Sequence, residues 1–177
     1  MADTKLVAVT VVGTDQPGIV AGVTKTLYEV GCNLEDASSA ILRGHFTMTL
    51  IVGTPGEMTA ETLEYLLQHV AAQHSLVVTV RPVEEVHARP IEPTHMVSVY
   101  GADKPGIVFR VAEALAGLGA NITDLTSRVI EGDDQPVYAL MMEIAVPDPD
   151  AVTGALEALR QELGLEVSIS ALDTSVL

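Results

Sequence analysis

Two stretches of the chain carry the same chemically useful residues at the same spacing. The first reads Val11-Val12-Gly13-Thr14-Asp15-Gln16-Pro17-Gly18-Ile19-Val20 and runs on to Gly31-Cys32-Asn33. The second reads Val99-Tyr100-Gly101-Ala102-Asp103-Lys104-Pro105-Gly106-Ile107-Val108 and runs on to Gly119-Ala120-Asn121. Of the 26 positions from Val11 to Asp36, twelve are identical in the second copy, which marks an internal duplication. Asp before Pro-Gly suits a helix start: the carboxylate can accept backbone N–H bonds, and proline needs no N–H partner there. Gly18 and Gly106 remove the side chain where a ligand would touch the backbone. The unpaired N–H groups of a first helical turn attract an anion such as a carboxylate. Asp-x-Pro-Gly also serves as a plain strand-to-helix turn. Asn33 and Asn121 also fit the place just past a helix end, because Gly31 and Gly119 suit the left-handed position there. The structural and the binding roles are compatible.

Other chemistries find less support in the residues. His69 and His74 are five apart, off the i, i+4 face used by paired metal ligands, and no Cys or acidic partner recurs at ligand spacing. Ser38 and Ser39 have no readable His-Asp arrangement for nucleophilic catalysis. Glu131, Asp133 and Asp134 read as a hairpin tip in solvent, since no twelve-residue calcium pattern follows. Cys32 is the single cysteine, which excludes an intrachain disulfide, and its apolar neighbours make it a small buried hydrophobe rather than a nucleophile. No catalytic residue, cofactor or metal is predicted, and the chain is read as non-enzymatic.

The elements that must position the two loops follow from periodicity. A short apolar strand, Leu6 to Val12 or Met96 to Tyr100, leads into each loop. A helix follows, with Ile19, Val23, Leu27 and Val30 on one face, matched by Ile107, Val111, Leu115 and Leu118. A second strand runs to about Leu42, turns at Arg43-Gly44, and returns from His45 to Val52 with Phe46, Met48, Leu50 and Val52 alternating on one face. Thr59 caps a second helix striped by Leu63, Leu66, Leu67 and Val70, and Leu76 to Val80 closes the unit as a strand. The second half repeats the order: strands from Asn121 to Ile130 and Val137 to Val146, then a loop over Pro147 to Pro149. A helix with Val152, Leu156, Leu159 and Leu163 follows, then a strand with Leu165, Val167 and Ile169. Each half is therefore βαββαβ, and the predicted fold is α+β: two ferredoxin-like units in tandem, antiparallel sheets with helices on one face. Residues 1–84 form the first unit, 85–93 a linker carrying Pro90 and Pro93's neighbourhood, and 94–177 the second. The first strand of each unit is expected centrally, with the start of the second strand near the loop.

Composition narrows the function further. With 177 residues, 48% apolar and 3% aromatic, the cores must be built from Val, Leu, Ile, Ala and Met. So few rings disfavour base stacking, and a formal charge of −15 opposes direct contact with nucleic acid and with anionic membranes. No apolar run reaches the ~18 residues of a bilayer span and the N-terminus has no signal peptide, so a cytoplasmic protein is expected.

Asp-x-Pro-Gly-Ile-Val after a first strand, with Gly-x-Asn after the first helix, resembles the ACT domain, in both halves and over nearly the whole chain. A chain made of two such units is similar to the glycine cleavage system transcriptional repressor family. The resemblance implies an amino-acid-sensing regulatory protein that acts on a partner protein rather than on DNA. It places the ligand loop on Asp15, Gln16, Pro17, Gly18 and Ile19 with Asn33 opposite, and on Asp103, Lys104, Pro105, Gly106 and Ile107 with Asn121 opposite. Backbone N–H groups would hold the carboxylate of a small amino acid, glycine or similar, and Asp or Asn oxygens would accept from its ammonium. Lys104 in place of Gln16 adds a positive charge beside the second site. The expected partners are the amino acid, a transcription factor or metabolic enzyme, and a second ACT unit, because open sheet edges invite pairing into a homo-oligomer. Two alternatives stand beside this reading: an accessory subunit giving feedback to a metabolic enzyme, and an assembly module with vestigial loops.

Overall fold

A computed structural model describes residues 5–84, 91–131 and 136–172. The chain divides into two compact units, Met1–His87 and Ala88–Leu177. Most of the predicted linker and the hairpin tip with Asp133 and Asp134 lie outside the described residues.

Unit 1 runs β1 (Lys5–Thr14), α1 (Ile19–Glu29), β2 (Asn33–Leu42), β3 (His45–Thr54), α2 (Ala60–His74) and β4 (Val77–Pro82). Unit 2 runs β5 (His95–Ala102), α3 (Ile107–Gly117), β6 (Asn121–Ile130), β7 (Val137–Ala145), α4 (Pro149–Leu163) and β8 (Glu166–Ala171). Both are the expected βαββαβ, with antiparallel sheets ordered β2-β3-β1-β4 and β6-β7-β5-β8. The first strand of each unit is central, as its period-two burial requires: Val7, Val9 and Val11 in β1, and Val97 and Val99 in β5, are buried. The predicted alternation in β3 holds, with Phe46, Met48, Leu50 and Val52 all buried. Each core is mainly aliphatic, with Phe46 the buried ring of unit 1, and closes beneath the helix stripes, on Ile19, Val23 and Leu27 with Leu63 and Leu67 in unit 1. Val111, Leu115, Val152 and Leu156 do the same in unit 2. The ends of the predicted stripes, Val30 and Leu118, fall at the helix C-caps and are only partly buried.

The helix ends follow local chemistry. Thr59 caps α2, its hydroxyl accepting from the Thr62 N–H at 3.2 Å. The Glu61 carboxyl in that first turn is held below its ordinary range by its own backbone N–H and then by the Thr59 hydroxyl. In unit 2 the helix starts earlier than the predicted loop allows. Asp148 accepts from the N–H groups of Asp150 and Ala151, both at 3.1 Å, and Pro149 opens the helix, where a missing N–H costs nothing. Gly31 and Gly119 are left-handed, at φ of 76° and 69°, so the N–H groups of Cys32 and Ala120 reach back to the carbonyls of Leu27 and Leu115 at 3.0 Å.

One expected placement is corrected. The start of the second strand does not lie near the loop between the first strand and first helix of its own unit. Gly53 pairs with both Leu6 and Asn33, whereas His45 pairs with both Thr14 and Leu42. Asn33 thus sits beside the beginning of β1 and the loop follows its end, about 27 Å of strand away at about 3.4 Å per residue. Unit 2 has the same layout, with Asn121 paired to Ala145 and Ala102 to Val137 at opposite ends of β7. The cause is topological: the helix carries the chain back along the sheet, so the second strand starts where the first one started.

Candidate functional site

The loop between β1 and α1 is built by three tethers. At the strand end, Gly13 lets Leu76 pack against the backbone; a Cβ there would meet Leu76 Cδ2 at 2.6 Å. The Asp15 N–H donates to the Gly44 carbonyl at 2.9 Å, tying the loop to the β2–β3 turn. The Gln16 side-chain amide donates to the His74 carbonyl at 2.9 Å, tying it to the end of α2. Asp15, Gln16, Pro17 and Gly18 are exposed, whereas Ile19 turns inward at 1% exposure and anchors the helix in the core. Ile19 therefore offers backbone alone at the surface, and Ile107 does the same in unit 2.

Gly18 is the N-cap of α1, with φ 99° in the left-handed region that only glycine enters freely. Gly106 caps α3 with φ 93°. Neither helix has a side-chain cap hydrogen bond. The Asp15 and Asp103 carboxylates, read from sequence as candidate caps, precede the N-cap glycine by three residues and do not fill that role. First-turn N–H groups with no capping side chain, at a bend with no Cβ, make a small exposed concentration of positive potential in each unit. That arrangement accepts a carboxylate.

The two loops differ in what lies beneath them. In unit 1 the His74 ring underlies the bend: a Cβ on Gly18 would lie 3.4 Å from His74 Cε1. Its Nδ1 is buried with no hydrogen-bond partner among the described residues. In unit 2, among the described residues, no neighbouring group lies within 4 Å of a Cβ built on Gly106. Gly22 of α1 allows close approach of α2, since a Cβ would meet Val70 Cγ2 at 2.7 Å. The matching position in α3 is Arg110, whose guanidinium binds both carboxylate oxygens of Glu162 at 2.8 Å. The Lys104 Nζ donates to the Leu163 carbonyl at 3.4 Å, which directs the ammonium toward the end of α4.

Asn33 and Asn121 are exposed at the starts of β2 and β6. The Asn33 amide donates to Glu35 Oε1 at 2.6 Å. Within one unit the structure brings Asp15 to Ile19 together and leaves Asn33 at the far end of the sheet. All ten residues of β2 are exposed, so this edge strand is open along its length. A shallow groove of about 130 Å³ runs between α1 and the outer strands, lined by Val20, Thr24, Leu34, Ser38 and Met48 among others. A second hollow, of about 340 Å³, is lined by Tyr100, Arg160, Glu166 and Ser168 among others. Burial pushes the Cys32 thiol up from its ordinary range, which disfavours the thiolate a nucleophile requires. Among the described residues no His, Cys, Asp and Glu cluster has metal-binding geometry. No described helix is long and apolar enough to cross a membrane.

Comparison with known proteins agrees with the geometry. Residues 5–81 match one ACT domain model and residues 95–164 match another. Over 173 residues the chain is 29% identical to the glycine cleavage system transcriptional repressor of Escherichia coli, covering 94% of this chain and 90% of that protein. It is 32% identical over 147 residues to a phosphoserine phosphatase of Mycobacterium tuberculosis, covering 80% of this chain but 34% of that enzyme. A crystal structure of an unknown protein from Galdieria sulphuraria superposes with a TM-score of 0.82 at 24% identity, covering 97% of this chain and all of that one, and shares the fold. The chain belongs to the ACT domain family, carries two such domains in tandem, and is related to the glycine cleavage system transcriptional repressor.

Proposed function

We propose that this chain is an amino-acid-binding regulator that takes glycine or a similarly small amino acid and acts through a partner protein, not on DNA and not by catalysis. The observation that carries this reading is the left-handed glycine cap, uncapped by any side chain, at the start of α1 and again at the start of α3. Such a bend seats a carboxylate and presents no side chain of its own to compete for the N–H groups. The charge of −15 supports a protein partner over nucleic acid.

The ammonium end requires an acceptor, and Asn33 is too far away within its own unit. We therefore place that acceptor on a second copy. Antiparallel pairing of the open β2 edge with another β2 reverses the strand and carries the second copy's β2 start toward the loop end of the first. Occupancy then favours the paired state, because half of each site comes from each copy. Glycine at about 100 times its dissociation constant should stabilise the protein by about 2.7 kcal/mol in thermal unfolding. No shift with any of the common amino acids overturns the binding reading and leaves an assembly module with vestigial loops. In a Gly106→Val background, Gly18→Val and Asn33→Ala should each abolish binding by unit 1. Mixing the two variants should recover about a quarter of the sites, as one intact site per mixed dimer requires; no recovery rejects the shared site.

The likeness to one third of a phosphoserine phosphatase supports a second reading, feedback control of an amino-acid-pathway enzyme. Affinity capture under glycine separates the two: a transcription factor supports the first, a metabolic enzyme the second.

A further inference from the structure

Gln16 and Lys104 occupy the same position in the two copies and end on the same kind of atom. Gln16 Nε2 reaches the His74 carbonyl, and Lys104 Nζ reaches the Leu163 carbonyl. His74 and Leu163 are the last residues of α2 and α4. Carbonyls there lack a partner inside the helix and carry the negative end of its dipole, so a donor is favoured and a cation more so. The two side chains differ in length, shape and charge. What they share is donation, and both direct it away from the first helix and onto the second.

A second contact fixes the same junction in both units. Gly13 and Gly101, at the strand ends, hold Leu76 and Leu165 so closely that an added Cβ would lie 2.6 and 2.4 Å from a leucine methyl. These leucines follow the left-handed C-caps of α2 and α4, Ser75 and Gly164. Strand end, ligand loop and second-helix end thus meet at one junction, packed by the leucine and tied by residue 16 or 104.

We propose that residue 16 in unit 1, and residue 104 in unit 2, is a positioning residue. It latches the ligand loop to the carboxyl end of its unit's second helix and holds the first-turn N–H groups where a carboxylate can use them. This rests on the amino-acid-binding reading above. The side chain that position alone would assign to the ligand is instead committed to the helix end.

The test uses the full chain in a Gly106→Val background, which isolates the unit 1 loop, with glycine titration by calorimetry and amide exchange by NMR. Gln16→Ala should weaken glycine binding about fivefold, about 1 kcal/mol, the size of one exposed hydrogen bond. It should also speed exchange of the Asp15 and Gly22 amides, which bond to the carbonyls of Gly44 and Gly18. Gln16→Lys, the residue that unit 2 uses, should restore both; Gln16→Glu, an acceptor facing an acceptor, should restore neither. Unchanged exchange in Gln16→Ala, a lysine no better than alanine, or faster exchange with unaltered glycine affinity each overturns the latch. Failure of the unsubstituted protein to bind glycine counts against the proposed function, and the exchange rates with lysine rescue still decide whether the tie exists.

Discussion

Gly18→Val should lower the stability of unit 1 by about 1–3 kcal/mol and abolish its response to amino acids. The stability loss has a backbone cause. At φ 99° a β-branched side chain lies in a region that only glycine enters without strain, and holding it there costs about that much. A steric term adds to it, because the new Cβ starts 3.4 Å from His74 Cε1, which leaves no room for a methyl directed at the ring. Either the bend opens, removing the N–H groups from their common focus, or the histidine moves and loosens the end of α2. Gly106→Val separates the two causes. Gly106 has nearly the same φ, 93°, with no described neighbour within 4 Å of its Cβ, so its loss should be the smaller of the pair. Urea unfolding of both variants, followed by circular dichroism, checks the order. Equal losses would remove the histidine contact from the account, and no loss at either site would remove the strain.

The largest effect on stability should come from Leu63→Ala, about 2–5 kcal/mol. Leu63 is 0% exposed on the inner face of α2, among aliphatic side chains that close-pack under one sheet. Truncation removes buried methyls and leaves a cavity whose walls, fixed to strands and helix, collapse only in part. Leu66, on the same helix and in the same predicted stripe, is only half-buried. Leu66→Ala should therefore cost less than half as much. The check is a urea midpoint that falls with an unchanged slope for Leu63→Ala. A ranking with Leu66 above Leu63 would mean that the helix packs on a different face.

Periodicity made most of this fold legible. The β3 alternation, the Arg43-Gly44 turn, the Thr59 cap and the stripes of all four helices are local patterns, and each element formed where its pattern lay. Leu66 and the early start of α4 mark the limits of such patterns: apolar spacing does not say which of two neighbours faces the core, and Pro147-Asp148-Pro149 reads as a loop until Asp148 is seen capping. The bend at each first helix start was legible from Pro-Gly alone. The position of Asn33 was not, because spacing along a sequence does not show which end of a sheet a strand starts from. Eleven residues of α1 carry the chain back by about 16 Å, and that return decides it. The ties of Gln16 to His74 and of Lys104 to Leu163 span 58 and 59 positions. Nothing local marks them, although a donor at that place in both copies was a faint signal.

The contrast between Gly22 and Arg110 has a consequence for how such a molecule can diversify. Were one domain to assemble as a symmetric pair, each substitution would appear on both sides at once. A bend resting on an imidazole and a bend beside a guanidinium–carboxylate bridge would then be mutually exclusive. Fusing the two domains into one polypeptide releases that constraint: the residues around one bend can change while those around the other stay as they are. A single chain thereby holds two separately adjustable bends.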